Sequence, residues 1–240
     1  MSNSYDLKGK FAIVTGASKG IGRAIAELLI GNGCDVLIWD ARPADVPGAS
    51  SSVVDITQPS QIAAAVSALP AGKRLDILVN DAGYLGKSTT FLSHLRTDWR
   101  RILEVNLLGT MQVTQAVLPI MIGQRGGRII NLGSLAGKEG LAGITAYSAA
   151  SAGVISFTKA LSREVAQHNV FVNCVAPGPI DTDMIRDLGN EVVNQMIKDS
   201  PMGRLGDASE VAHLVAWLCT DASRFNSGAV FDMSGGRARY

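Results

Sequence analysis

Short apolar runs alternate with helical patterns along all 240 residues, and this alternation fixes the fold class before any motif is read. KFAIVT (10–15), DVLIWD (35–40), SVVD (52–55), DILVN (76–80), RIINLG (128–133), VFVNCVA (170–176) and AVFDM (229–233) read as buried strands. Helical patterns separate most of them, including a long one near 97–123 and another from about 146 to 168. In the second, Val154, Phe157, Leu161 and Val165 mark one face. Asp207 with Glu210 reads as an N-cap pair opening a further helix. Continuous apolar strands connected through helices call for a parallel sheet covered on both faces. With no repeat, low-complexity tract or linker in view, the expectation is one doubly wound, Rossmann-like α/β domain spanning 1–240.

Composition narrows the function classes. Lys plus Arg is 22 against 21 for Asp plus Glu, a formal charge of +1, and no long block of either sign occurs. That gives no reason to expect a nucleic-acid or membrane surface. No apolar run approaches the ~20 residues that span a bilayer, and MSNSYDLKGK is too polar for a signal peptide, so the expected location is cytoplasmic. Cys34, Cys174 and Cys219 lack metal-ligand spacing. They read as buried reduced thiols, with no metal site.

The first chemical signal is TGASKGIG, residues 15–22, between the first strand and a helix carrying Ile25, Leu28 and Leu29. Gly16 permits a tight turn, Gly20 lets backbone approach a ligand, and Gly22 lets helix and strand pack closely. The helix N-terminus offers free N–H groups and partial positive charge to a pyrophosphate. The spacing is G-x-x-x-G-x-G rather than the commoner G-x-G-x-x-G.

With that loop, the chain resembles the short-chain dehydrogenase/reductase family over essentially its whole length. Asn106 matches the family's active-site asparagine, Ser134 with Tyr147 its serine–tyrosine pair, and PGPIDT (177–182) the segment that holds the nicotinamide. The resemblance implies a nicotinamide-dependent oxidoreductase with a seven-stranded parallel sheet, assembled as a homotetramer and acting on a small molecule. It assigns Gly16, Ala17, Ser18, Lys19, Gly20, Ile21 and Gly22 to the cofactor, with Asn80, Asp81, Ala82 and Gly83. Asp55 and Ile56 flank the adenine, and Pro177, Gly178, Ile180, Thr182 and Tyr147 meet the nicotinamide end.

Asp40 ends the second strand, 24 residues after Gly16. A carboxylate there accepts hydrogen bonds from ribose hydroxyls and repels a 2′-phosphate. Lys19 and Arg42 argue for NADP, but Asp40 occupies the ribose contact itself, so the expected cofactor is NAD. NDAG (80–83) departs from the family, which usually shows asparagine where Asp81 stands. An ionised Asp only accepts hydrogen bonds, and burying its charge costs free energy. Weaker cofactor binding or a less stable core is expected.

The reaction needs a proton moved to or from the substrate oxygen. Ser134 can hydrogen-bond that oxygen and Tyr147, 13 residues on, can trade the proton. Tyrosine has an unperturbed pKa near 10, so about one molecule in a thousand is phenolate at pH 7. By resemblance, a lysine four residues after the tyrosine supplies the cation, holds the nicotinamide ribose and joins Asn106 in a proton relay. Here that catalytic position is Ser151, which carries no charge. Lys159 is two turns further on, and Lys138 follows Ser134 closely enough to be a candidate substitute. His94, His168 and His213 lack such context and read as surface or packing residues.

The expected activity is interconversion of a secondary alcohol and a ketone, impaired by Ser151. A 3-oxoacyl thioester reductase and a catalytically inactive dinucleotide-binding protein are the alternatives. The segment near 183–206 reads as a substrate lid, with an apolar side of Met184, Ile185, Leu188, Val192, Met196 and Ile197. SGGRARY ends the chain with Arg237, Arg239 and Tyr240 after a flexible glycine pair. The family's assembly places such tails near a neighbouring subunit's site, where arginine suits a hydroxy, keto or sugar acid.

Overall fold

A computed structural model describes residues 5–240, leaving the first four residues of the polar opening outside the description. Seven strands form one sheet: β1 (Phe11–Thr15), β2 (Asp35–Asp40), β3 (Ser50–Val53), β4 (Ile77–Asn80), β5 (Gly127–Leu132), β6 (Val170–Pro177) and β7 (Val230–Met233). Their order is β3-β2-β1-β4-β5-β6-β7, with every pairing parallel. The chain runs outward in one direction from β1 and in the other from β4. A crevice therefore opens at the carboxyl ends of these two strands, the place where α/β sheets bind ligands.

Two helical layers cover the sheet. Helix α1 (Gly20–Gly31) lies on one side, and α2 (Pro59–Ser67) on the other with a long helical run. That run comprises α3 (Arg96–Leu103), a π-helical segment (Glu104–Gly109) and α4 (Thr110–Gly123). Then follow α5 (Leu135–Glu139), α6 (Thr145–Val165), α7 (Asp183–Arg186), α8 (Asn190–Asp199) and α9 (Ala208–Leu218). The period-two alternation of β1 serves both layers. Ala12 and Val14 join Ile25 and Leu29 of α1 and Val211 and Val215 of α9. Phe11 and Ile13 face the opposite layer, with Val113, Val117 and Met121 of α4 and Leu161 and Val165 of α6. Each fully buried aliphatic side chain of this kind contributes roughly 1.5–3 kcal/mol.

Three expectations need correction or refinement. The strand expected at 52–55 runs from Ser50 to Val53 and is exposed throughout, because it is an edge strand paired only with β2. The burial expected of it passes to Val54 and Ile56 just beyond. Arg96–Gly123 is, by length and composition, apolar enough to cross a bilayer, contrary to the expectation that no run approached that size. In the fold, Val113, Val117 and Met121 of this run bury themselves against the sheet. The run is also not uniformly α-helical, since Glu104–Gly109 widens into a π segment around Asn106.

At α9, Asp207 and Glu210 form a reciprocal capping box. Arg204 holds Glu210 through two 2.7 Å hydrogen bonds and, with the Asp207 N–H, lowers its pKa to about 2. Cys34, Cys174 and Cys219 are free and buried; desolvation pushes the thiols of Cys34 and Cys174 up to about 12.

Candidate active site

The carboxyl-terminal crevice is a cleft of about 1390 Å³, and most of the residues singled out from the sequence line it. Its cofactor end is built by the β1–α1 loop. Gly16 has φ +72°, and a Cβ there would sit 2.5 Å from the Ala82 Cα, so glycine is required both by conformation and by close approach. The N-cap Lys19 makes no side-chain capping bond and the first turn of α1 holds no acidic residue. The N–H groups of Gly20 and Ile21 at the start of the helix thus remain available to an anionic ligand, and the cradle fits a pyrophosphate. Lys19 instead reaches Asp183 at 3.2 Å.

Asp40 closes this end of the cleft. Its Oδ2 accepts from the Ser18 N–H and its Oδ1 from the Arg42 N–H, both at 3.0 Å, so the carboxylate is fixed by the loops on either side of it. Asp55 and Ile56 line the neighbouring wall. Although desolvation raises the Asp55 pKa, hydrogen bonds from the Thr57 hydroxyl (2.7 Å) and N–H (2.9 Å) outweigh it and lower the net value.

Asp81 stands beneath the glycine loop. Its N–H donates to the Thr15 hydroxyl at 3.1 Å. A Cβ on Gly22 would fall 2.6 Å from the Asp81 Oδ2, so Gly22 leaves room for this carboxyl. Desolvation raises the Asp81 pKa well above the ordinary 3.8; the Gly22 N–H lowers it in part, and the charge of Asp40 raises it again. The expected cost of a carboxyl here thus appears as a group driven toward its neutral form.

The reacting end combines β5, α5 and α6. Ser134 follows β5 and caps α5, accepting from the Ala136 N–H at 3.1 Å. Tyr147 lies in the first turn of α6, with Ser151 one turn later and 4% exposed. Desolvation raises the Tyr147 phenol above its ordinary 10, a hydrogen bond with Ser134 lowers it, the Asp81 charge raises it, and a hydrogen bond with Ser151 lowers it. The net shift is upward, and no cation is among the groups acting on the phenol. Lys138 is turned away, bound to Asp232 at 3.0 Å, so it does not replace the missing cation. Lys159 does not line the cleft.

Asn106 is locked by backbone. Its Nδ2 donates to the carbonyls of Tyr84 (2.7 Å) and Ile102 (2.8 Å), and its Oδ1 accepts from the Tyr84 N–H at 3.1 Å. It braces the 83–85 wall of the cleft while lining the cleft itself. Ala82, Gly83, Pro177, Gly178, Ile180 and Thr182 also line it, as do Ser18, Gly20 and Ile21.

Three assigned residues lie elsewhere. Ala17 and Gly22 are packed under the loop instead of lining the cleft. Asn80 is a correction. Its side chain is buried below the cleft, donating to Thr114 Oγ1 (3.0 Å) and Asn131 Oδ1 (2.8 Å), and it braces the central strands. Conversely, the cleft includes Arg101, which the sequence did not single out, Gln195 from the segment read as a lid, and Arg237, expected at a neighbouring subunit's site but lining the cleft of its own chain. No local pattern brings these three together, because they arrive from separate elements. His94 packs with its Nε2 2.9 Å from Asp98, and His213 meets the Tyr5 hydroxyl at 3.0 Å.

A glycine cradle at one end and a serine–tyrosine pair at the other define a dinucleotide-dependent enzyme. The chain belongs to the short-chain dehydrogenase/reductase family, whose members are oxidoreductases that bind a nicotinamide dinucleotide. A family model described as Enoyl-(Acyl carrier protein) reductase matches residues 16–238. The 3-oxoacyl-[acyl-carrier-protein] reductase FabG of Vibrio cholerae is 40% identical over 240 residues, covering 96% of this chain and 98% of that protein. Its Salmonella typhimurium counterpart is 39% identical over 238 residues, covering 95% and 97%. Among solved structures, a putative gluconate dehydrogenase from Agrobacterium tumefaciens is 30% identical, with a TM-score of 0.93 and full coverage of both chains. The aldohexose dehydrogenase of Thermoplasma acidophilum is 29% identical with the same TM-score, covering 99% of this chain and 97% of that one.

Proposed function

We propose that this enzyme interconverts a secondary alcohol and a ketone with NAD(H), and that Ser151 leaves it slow. The observation that carries the reading is one cleft joining the Asp40-closed glycine cradle to Ser134 and Tyr147. When bound, the dinucleotide supplies the hydride donor or acceptor. Gly16, Ser18, Gly20 and Ile21 hold its phosphates, Asp40 accepts from its adenosine ribose, and Asp55 and Ile56 flank the adenine. Pro177, Gly178, Ile180 and Thr182 hold the nicotinamide end.

Ser134 steadies the substrate oxygen by a hydrogen bond, and the Tyr147 hydroxyl passes it a proton during reduction or receives one during oxidation. Ser151, beside the phenol, carries no charge to balance the one that develops on it. Asn106 keeps the 83–85 wall in place. The segment 183–206 closes over the substrate as a lid, and the exposed Leu108, Met111 and Phe225 support assembly into a homotetramer. A cytoplasmic location goes with this reading.

Fluorescence titration with NADH and NADPH tests the cofactor assignment: NADH binds more tightly, and equal or tighter NADPH binding would remove Asp40 from its role. The names of the FabG relatives favour a second reading, reduction of a 3-oxoacyl thioester. A panel of secondary alcohols, hydroxy acids and 3-oxoacyl thioesters, followed by NADH absorbance in parent and Ser151→Lys proteins, separates the two. Normal NADH binding with no turnover of any compound in either protein would leave a binding protein.

A further inference from the structure

The C-terminal tail folds back on its own chain. The Ala238 N–H donates to Ser234 Oγ at 2.9 Å, and the Arg239 N–H donates to Glu139 Oε1 at 3.0 Å. Glu139 ends α5, the helix that Ser134 caps. Ser234, three residues before Arg237, backs Gly178: a Cβ on that glycine would lie 3.0 Å from the Ser234 Cα. The tail is thereby pinned between α5 and the end of α8, beside the reacting end of the cleft. From there Arg237 enters the cleft wall of the same chain.

What distinguishes Arg237 among the arginines of the cleft is low exposure combined with unused donors. Arg204 directs two 2.7 Å hydrogen bonds to Glu210, and Arg186 holds Asp181 at 2.6 and 2.5 Å. Both are about half exposed and could draw on water instead. The Arg237 side chain is 19% exposed, yet among the described residues its guanidinium donates no hydrogen bond. Its nearest carboxylate oxygen, Asp199 Oδ2, is 3.7 Å away. Asp199 takes its hydrogen bond from Gln195 Nε2, at 2.7 Å on the other oxygen. A guanidinium has five N–H donors in a planar fork, and those of Arg237 open on the cleft with no protein acceptor within hydrogen-bond distance. An acceptor arriving through the cleft meets these free donors, and a planar carboxylate matches the fork in a two-point contact. Asp199 offsets part of the positive charge, which favours a monoanion over a phosphate dianion.

We propose that Arg237 selects a carboxylate-bearing substrate, a hydroxy acid and its keto acid, in the cleft of its own chain, a proposal that rests on the oxidoreductase reading above. Arg237 is a specificity residue: it holds the acid group while Ser134 and Tyr147 act on the carbinol oxygen. Asp199 is its competitor, so removing the Asp199 charge strengthens acid binding where a merely structural ion pair would weaken the cleft.

The test uses matched pairs of probes, D-gluconate with D-glucitol and lactate with isopropanol. Each is titrated calorimetrically into the NADH complex, and each is assayed for turnover with NAD+. The parent protein binds at least one of the acids better than its neutral partner. Arg237→Gln lowers the acid-to-neutral preference about 10- to 100-fold, the size expected for a lost charged hydrogen bond. Asp199→Asn raises it, and Arg237→Lys falls between parent and glutamine. Equal changes for acid and neutral probes, or loss of NADH affinity in Arg237→Gln, overturn the proposal, the latter by moving Arg237 to the cofactor. If NADH binds but neither acid does, the acid assignment fails while the oxidoreductase reading stands. If no dinucleotide binds, both fail together.

Discussion

Asn80 and Asp81 are consecutive residues, yet they belong to two polar clusters of opposite design. Below the cleft, Asn80 donates to Thr114 and Asn131, and Asn131 donates to Thr158 at 2.9 Å. Thr158 donates onward to the Val154 carbonyl at 2.8 Å. Every member is neutral, so burial asks only that donors meet acceptors; Asn80 Oδ1 is the one atom of the set left without a partner. Above it, Asp81, Tyr147 and Ser151 share the cleft with no cation acting on the phenol. Asp81 and Tyr147 are both shifted toward their protonated forms. The lower cluster is suited to rigidity, whereas the upper one is suited to moving a proton but lacks the charge that would make this easy.

The largest expected effect breaks that contrast. Ser151→Lys places an ammonium one turn from Tyr147, favours phenolate and raises turnover. Even ~3 kcal/mol of transition-state stabilisation corresponds to more than about a hundredfold in rate. The alkaline limb of the pH–rate profile moves downward, and Tyr147→Phe in the same background abolishes the gain. A fast parent enzyme slowed by the lysine would refute the missing-cation account.

A smaller change probes the neutral cluster. Asn131→Ala removes the links to Asn80 and Thr158 and leaves buried groups orphaned, so urea unfolding should show a loss of about 2 kcal/mol. A loss independent of pH is expected, since none of the four side chains titrates in the working range.

Asp81→Asn sharpens the comparison by making the upper cluster as neutral as the lower. The folded-state pKa of Asp81 lies above its ordinary 3.8, so the native protein holds this proton more tightly than the unfolded chain does. Stability from this source is full below that ordinary value and is lost as pH rises through the folded pKa. The asparagine variant lacks the loss. Its advantage in unfolding experiments should be absent in acid and grow with pH; an advantage that stayed constant would mean that Asp81 titrates normally. Tighter NADH binding should accompany the gain at neutral pH.

Outside both clusters, Asp207→Ala at the α9 capping box is the smallest effect, about 1 kcal/mol of stability with turnover unaffected.

The alternation of strands and helices, the TGASKGIG cradle, the capping pair of α9 and the identities at 81 and 151 were all legible in the sequence. Each is a local matter: a hydrophobic period, a backbone that needs glycine, a side chain at a fixed step along a helix. Tertiary structure decided which neighbours those residues meet. It turned Lys138 to Asp232 instead of Tyr147, sent Asn80 under the cleft while Asp81 stayed in its wall, and left β3 exposed at the sheet edge. It also brought Arg237 into its own chain's cleft through hydrogen bonds to residues as much as 100 positions away. Charge balance, burial and donor satisfaction depend on which surfaces the sheet brings together, and no period along one chain encodes that meeting.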